Sequence, residues 1–355
     1  MGNLKYIFVH GLSGWGSYDK QNERMPYWGM RNGDLIKQLG KLGYDCYSAS
    51  VAPHGSAWDR ACELYAQLAG TRSDYGAVHS AQYGHERYGR DFTGIPLIES
   101  FDDSTRLVLI GHSFGGATVR LFADTLRSGR EEEIEENGSP FFKGGMGNRI
   151  AAVVTLAAPH NGTTAYDLFE DPDFDRASVR VWHIEDVAGR FMTRNNTPET
   201  PLPEGDSAAY DMHIDNAIAL NRSLHLDPAV YYFSQPCDIT VPKKDGTLKP
   251  MVRKTELLFR RTSRYMGAYC GTTKGGVVLD ESWRHNDGLV NTVSAMYPMG
   301  NPHTSFDESR IEPGIWNVFE TLNIDHMALQ GGLMHRHRLL PYYRKLLAVI
   351  DGVCG

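Results

Sequence analysis

The sequence predicts an α/β fold in which a mostly parallel central sheet is flanked by helices. Short runs of apolar, often β-branched residues alternate with amphipathic segments along the chain, the alternation expected of strands joined by crossover helices. Within the strand-like runs the residues are apolar at consecutive positions, as in strands buried on both faces. The 355 residues, 41% hydrophobic with 37 glycines and 17 prolines, can build a large core with many turns, and the composition matches no disordered, collagen-like or coiled-coil chain. One domain spanning 1–355 is expected.

The strand-like runs are, in order, Tyr6–Val9, Tyr44–Ala49, Leu107–Ile110, Val153–Ala157 and Val230–Phe233, with helical spacing over Leu35–Leu42 and Thr118–Leu126. Between residues 163 and 224 the pattern becomes polar and proline-rich around two helical candidates. One carries Val181, Ile184, Val187, Ala188 and Phe191 as a single apolar stripe, read as core-facing. The segment reads as a lid-like insertion over the sheet. The acidic run Glu131–Glu136, followed by Asn137-Gly138-Ser139-Pro140, reads as a solvated helix end and surface loop.

Several classes of function are excluded. With 43 acidic against 36 basic residues and a net charge of −7, the chain offers nucleic acid no general attraction. Its longest clean apolar stretch, Ile150–Pro159, is too short to cross a bilayer, so no transmembrane segment is expected. Met1 leads straight into a strand without signal-peptide features, which reads as cytoplasmic if Met1 is the native start. The cysteines, Cys46, Cys62, Cys237, Cys270 and Cys354, are odd in number and contain no CxxC pair, so no disulfide framework is expected.

Gly111-His112-Ser113-Phe114-Gly115 follows the buried run Leu107–Ile110 and opens the helix at Gly116. GxSxG in a strand–turn–helix context marks the nucleophile elbow of an α/β-hydrolase. The turn is sharp enough that only small residues fit two places either side of the serine, and it holds the hydroxyl at a helix N-terminus that favours negative charge. Ser113 is the candidate nucleophile. Acyl transfer also requires two backbone N–H groups aimed at the developing oxyanion. Phe114 supplies one, and Leu12, in the glycine-rich His10–Gly16 loop after the first strand, supplies the other.

In this fold the partners follow in the order serine, acid, histidine. Of the nine histidines after Ser113, His326 in Asn323-Ile324-Asp325-His326-Met327 lies where the last strand should give way to the last helix. His335 and His337, in an arginine-rich helical stretch, read as solvated surface residues. For the acid, Asp287 in His285-Asn286-Asp287-Gly288 and Asp238 in Gln235-Pro236-Cys237-Asp238 both follow strand-like runs, and position leaves the choice open.

The chain resembles the zinc-containing bacterial lipases of the Geobacillus and staphylococcal type and the related polyester-cleaving esterases of anaerobes. The resemblance runs through His10–Gly16, Tyr27-Trp28-Gly29, Trp58–Leu68, Asp74–Ala77, Tyr83-Gly84-His85, Ala158–Thr164 and Asn286–Thr292. It implies Asp287 as acid and His326 as base. It also implies a structural zinc held by Asp59, His79, His85 and Asp211, a closed set of two imidazoles and two carboxylates, within a zinc-binding insertion at 54–90. Secretion is implied as well. The family's calcium site uses acidic side chains just after the catalytic histidine, and Met327-Ala328-Leu329-Gln330-Gly331-Gly332 offers none, so no calcium is expected. The insertion is shorter than the family's helical lid, which implies a more open cleft.

The expected function is therefore a serine carboxylic-ester hydrolase acting through an acyl-enzyme on aliphatic esters, lipids or polyesters, with transient contact to a lipid or polymer surface. Two rivals are an amidase or acyltransferase with the same triad and a zinc-stabilised binding protein without activity.

Overall fold

The computed structural model describes residues 4–181, 183–184 and 202–355. Its seven-stranded sheet is built from β1 (Leu4–Val9), β2 (Asp45–Ala49), β3 (Arg106–His112), β4 (Ile150–Leu156), β5 (Tyr231–Gln235), β6 (His303–Ser305) and β7 (Trp316–Val318). The strands lie in the order β6-β7-β5-β4-β3-β1-β2, and every neighbouring pair is parallel. All five strands expected from the sequence are present. The two unforeseen ones, β6 and β7, have 3 residues each, too few to show a periodicity.

The consecutive apolar residues of the central strands divide between two layers, because successive side chains of a strand point to opposite faces. Ile7, Val9, Leu107 and Leu109 pack with the helices Ala57–Ala69 and Gly115–Ser128. Tyr6, Phe8, Val108 and Ile110 pack with Leu35 and Leu39 of the helix Leu35–Gly40 and with Leu346, Leu347 and Ile350 of the last helix, Leu339–Cys354. The architecture is that of an α/β-hydrolase, as the sequence predicts.

Within the 163–224 segment the described residues form helices Thr164–Asp167, Ala208–Met212 and Ile214–Ser223. Of the expected apolar stripe, Val181 is half-buried against Tyr265 and its neighbours while Ile184 is 61% exposed. Val187, Ala188 and Phe191 lie outside the described residues. Among the described residues no helix is long and apolar enough to cross a membrane, and all five cysteines are free.

The acidic run departs from its expected solvation at one residue. Glu133 is buried, and its carboxylate accepts the N–H groups of Val78 and His79 at 2.9 and 2.6 Å. These are unpaired amides at the start of the helix Ala77–Tyr83, where a negative charge is favoured. His335 and His337 also differ from expectation. They precede the last helix rather than lying in it, are half-buried, and follow a loop whose Leu333, Met334 and His335 amides all donate to the buried Glu256 carboxylate.

Candidate active site

The turn between β3 and the helix Gly115–Ser128 places Ser113 at φ 54°, a left-handed conformation that costs a serine of order 1–3 kcal/mol. Packing on both sides holds it there. A Cβ on Gly111 would come within 2.4 Å of the Gly115 carbonyl oxygen, and one on Gly115 within 2.4 Å of the Val9 oxygen. The flanking glycines are therefore required by close approach of backbone, as the motif implies.

Ser113 Oγ lies 2.8 Å from His326 Nε2, and His326 Nδ1 lies 2.8 Å from Asp287 Oδ2. His326 and Asp287 are 4% and 1% exposed, so water does not compete for these bonds. The other Asp287 oxygen accepts the amides of Leu289 and Val290 at 3.0 and 2.8 Å, which fixes the carboxylate plane. The His326 amide donates to the Asp287 carbonyl at 2.9 Å. Asp238, the other candidate acid, faces elsewhere, with its carboxylate bound to Thr240 and, at 2.7 Å, to His285 Nδ1. Of the two aspartates left open by position, the structure brings Asp287 to His326.

The loop after β1 abuts the nucleophile, since a Cβ on Gly11 would lie 2.7 Å from Ser113 Cβ. Among the described residues neither the Leu12 nor the Phe114 amide N–H has a hydrogen-bond partner, the state required of donors kept for an oxyanion. Behind this loop lies Arg60, a residue the sequence reading passed over. Its guanidinium is wholly buried, donates to Thr118 Oγ1 at 2.9 Å and to the carbonyls of His10, Gly11 and Ala52, and lies 5.1 Å from the Phe114 ring centroid. Burial lowers its pKa to about 10, so it stays charged at neutral pH. A sequence signal existed: Arg60 shares its helix face with Ala57, Ala61 and Leu64, where a solvated arginine does not belong.

A second cluster joins Asp59, His79, His85 and Asp206, whose ligand atoms all lie within 4.8 Å of one another. His79 Nε2 is 3.4 Å from both Asp59 Oδ1 and Asp206 Oδ2, and His85 Nε2 is 3.2 Å from Asp206 Oδ2. Tetrahedral zinc with ligand bonds of about 2.0–2.1 Å requires ligand–ligand edges of about 3.3 Å. Asp59 Oδ1, both Nε2 atoms and Asp206 Oδ1 are buried without a hydrogen-bond partner, so the residues fit a metal ion. The fourth member corrects the expected set, because Asp211 does not belong to it. Its Oδ2 accepts the Ala57 amide at 2.7 Å, capping the helix that carries Asp59, and the cluster is completed five residues earlier in the chain.

A parallel sheet that lifts a strained serine toward a carboxylate-held imidazole defines the α/β-hydrolase class. The chain belongs to the family described as Lipase-like, C-terminal domain, whose profile matches residues 3–197 and 201–337. It is 32% identical to lipase 2 of Staphylococcus aureus over 342 residues, which cover 88% of this chain and 48% of that protein. The chain thus spans about half the length of the curated relatives it matches. Among solved structures it is similar to EstA from Clostridium botulinum, with a TM-score of 0.85, 29% identity and coverage of 99% of this chain and 88% of the other. It is also similar to lipase 1 from Pelosinus fermentans, with a TM-score of 0.79, 30% identity and coverage of 100% and 99%.

Proposed function

We propose that this chain is a serine carboxylic-ester hydrolase of the lipase or esterase type, with Ser113, His326 and Asp287 as its catalytic residues. The observation that carries the reading is the continuous hydrogen-bonded line from a strained Ser113 through His326 to a buried Asp287. His326 Nε2 takes the Ser113 proton as Oγ attacks the ester carbonyl, while Asp287 keeps the other imidazole proton on Nδ1 and stabilises the imidazolium. The Leu12 and Phe114 amides receive the oxyanion, the alcohol leaves with the proton held by His326, and water then cleaves the acyl-enzyme along the same route.

The substrate's acyl part is proposed to be apolar. Met30, Phe259 and Met327 form a buried group flanked by Trp15, Met25, Leu258, Leu289 and Leu333, and the Phe259 ring lies edge-on to His326 at 5.9 Å. Aliphatic esters suit the partly exposed apolar residues around this group, and lipid or polyester chains present the same groups.

Asp59, His79, His85 and Asp206 are proposed to hold a structural zinc ion, with the 54–90 region and the 163–224 insertion as additions to one hydrolase domain. When bound, the ion would supply a cross-link between these two additions and no reacting group, because all four positions are filled by protein.

Ser113→Ala tests the central assignment. It is expected to abolish p-nitrophenyl butyrate cleavage and labelling by a fluorophosphonate probe. Retention of more than about 1% of activity by folded protein would remove Ser113 from this role.

A further inference from the structure

We infer that Tyr27 and His112 are positioning residues for ester cleavage, forming one hydrogen-bonded chain that ties the oxyanion loop to the backbone of His326. The inference rests on the roles proposed above for Ser113, Leu12 and His326. Tyr27 belongs to the Tyr27-Trp28-Gly29 motif, which the proposed chemistry leaves without a task, and His112 is the residue immediately before the nucleophile.

The chain has three links. The Gly11 amide donates to Tyr27 Oη at 3.0 Å, Tyr27 Oη lies 2.7 Å from His112 Nδ1, and His112 Nε2 lies 2.9 Å from the His326 carbonyl oxygen. Tyr27 and His112 are 4% and 1% exposed, so each group must find its partner within the protein. The donor directions are then determined. An amide can only donate, so the Tyr27 oxygen accepts from Gly11 and spends its own proton on His112 Nδ1. That nitrogen must be unprotonated, which puts the proton on Nε2, where it donates to the His326 carbonyl. The opposite tautomer would face a ring lone pair against a carbonyl oxygen. Burial, reinforced by the charge that develops on His326, lowers the His112 pKa to about 3, so the ring stays neutral at working pH.

Each end of the chain meets the chemistry. Gly11 precedes Leu12, so fixing the Gly11 amide fixes the peptide leading to the proposed oxyanion donor, in a loop already in contact with Ser113. At the other end His326 is held at both backbone groups, its amide by Asp287 and its carbonyl by His112. The network therefore helps to set the distance between the proposed oxyanion donor and the base. A misplacement of about 1 Å in such a constellation costs on the order of 100-fold.

Tyr27→Phe removes the central link and keeps a ring packed against Trp15, Trp28 and His112. It is expected to lower kcat for p-nitrophenyl butyrate by about 10- to 100-fold, with KM within about twofold, per molecule shown to be folded by circular dichroism. Tyr6→Phe is the control: it removes another buried tyrosyl hydroxyl, one bonded to Asp351 in the last helix, and is expected to lower the melting temperature without changing kcat. His112→Gln, which breaks the same link from the other side, provides a second variant should Tyr27→Phe not fold, and is expected to show the same split between kcat and KM. A kcat within about twofold of the parent in either folded variant, or an equal loss in Tyr6→Phe, overturns the inference. Ser113→Ala distinguishes the two levels. If it stays active the catalytic assignment itself has failed, whereas an inactive Ser113→Ala beside an unimpaired Tyr27→Phe overturns the positioning role alone.

Discussion

Replacing Asp287 by asparagine should cripple turnover while leaving the fold intact, and the structure determines why. The Asp287 Oδ1 atom accepts two amides, from Leu289 and Val290. An asparagine must therefore keep its oxygen on that side, since turning its NH2 toward two N–H donors would leave both unpaired in a buried site. The NH2 group then faces His326 Nδ1, which can only accept it by losing its proton. The ring proton moves to Nε2, which points at Ser113 Oγ and no longer has a lone pair to take the hydroxyl proton. Restoring the working tautomer forfeits a charge-assisted bond worth about 1.5–3 kcal/mol and sets two donors against each other at a cost of about 1–3 kcal/mol. Together these raise the barrier by about 2.5–6 kcal/mol, which corresponds to roughly a 70- to 25,000-fold loss of kcat. The assay is p-nitrophenyl butyrate hydrolysis at pH 8, with circular dichroism to confirm folding and Asp238→Asn measured alongside. A loss of less than about tenfold, or a larger loss in Asp238→Asn, would refute the argument.

Three further outcomes are expected. Elemental analysis should find about one zinc per chain, lost in Asp206→Asn and His85→Ala but kept in Asp211→Asn; metal retained by Asp206→Asn would restore Asp211 as the ligand. Glu133→Gln should lower the melting temperature measured by calorimetry, through loss of about 1 kcal/mol or more at the start of the helix carrying His79, and an unchanged transition would show that the cap contributes nothing. Burial pushes the Asp325 carboxyl up to about 7, above its unfolded value of about 3.9, so its contribution to stability is complete at low pH and is lost as pH rises through 7. Asp325→Asn should therefore gain stability relative to the parent between pH 5 and pH 8 in urea titrations, and parallel curves for the two proteins would contradict that sign.

The parts of this molecule legible in its sequence are those whose physical cause is local. β1, β3 and β4 announce themselves because burial on both faces leaves consecutive apolar residues, whereas β6 and β7 are held by their neighbours and carry no pattern of their own. The elbow at Ser113 is legible because its sharp turn demands small residues at fixed spacing. The choice between Asp287 and Asp238 is a different kind of question: both follow strand-like runs in the sequence, and only the packing of a loop against His326 separates them. Asp206 and Asp211 differ in the same way. Two carboxylates five positions apart cannot be distinguished by residue type, and what separates them is that one meets the Ala57 amide while the other faces two imidazoles.

The helix Ala57–Ala69 shows how the two clusters depend on one element. Consecutive residues of an α-helix point about 100° apart, so Asp59 reaches His79 and the metal-binding group while Arg60 turns inward to the carbonyls behind the oxyanion loop. Asp211 and Ser56 together cap the start of this helix through Ala57 and Asp59. The first turn is thus tied to the insertion through Asp211, to the His79–His85 arm through Asp59, and to the loop facing Ser113 through Arg60. Such a turn cannot shift to suit one partner without moving the others. A buried, unpaired guanidinium is costly to keep in a core, and here three of its hydrogen bonds go to the backbone carbonyls of His10, Gly11 and Ala52 behind the loop facing Ser113. The proposed metal site and the proposed oxyanion loop are in this way joined through neighbouring residues of one helical turn, Asp59 and Arg60.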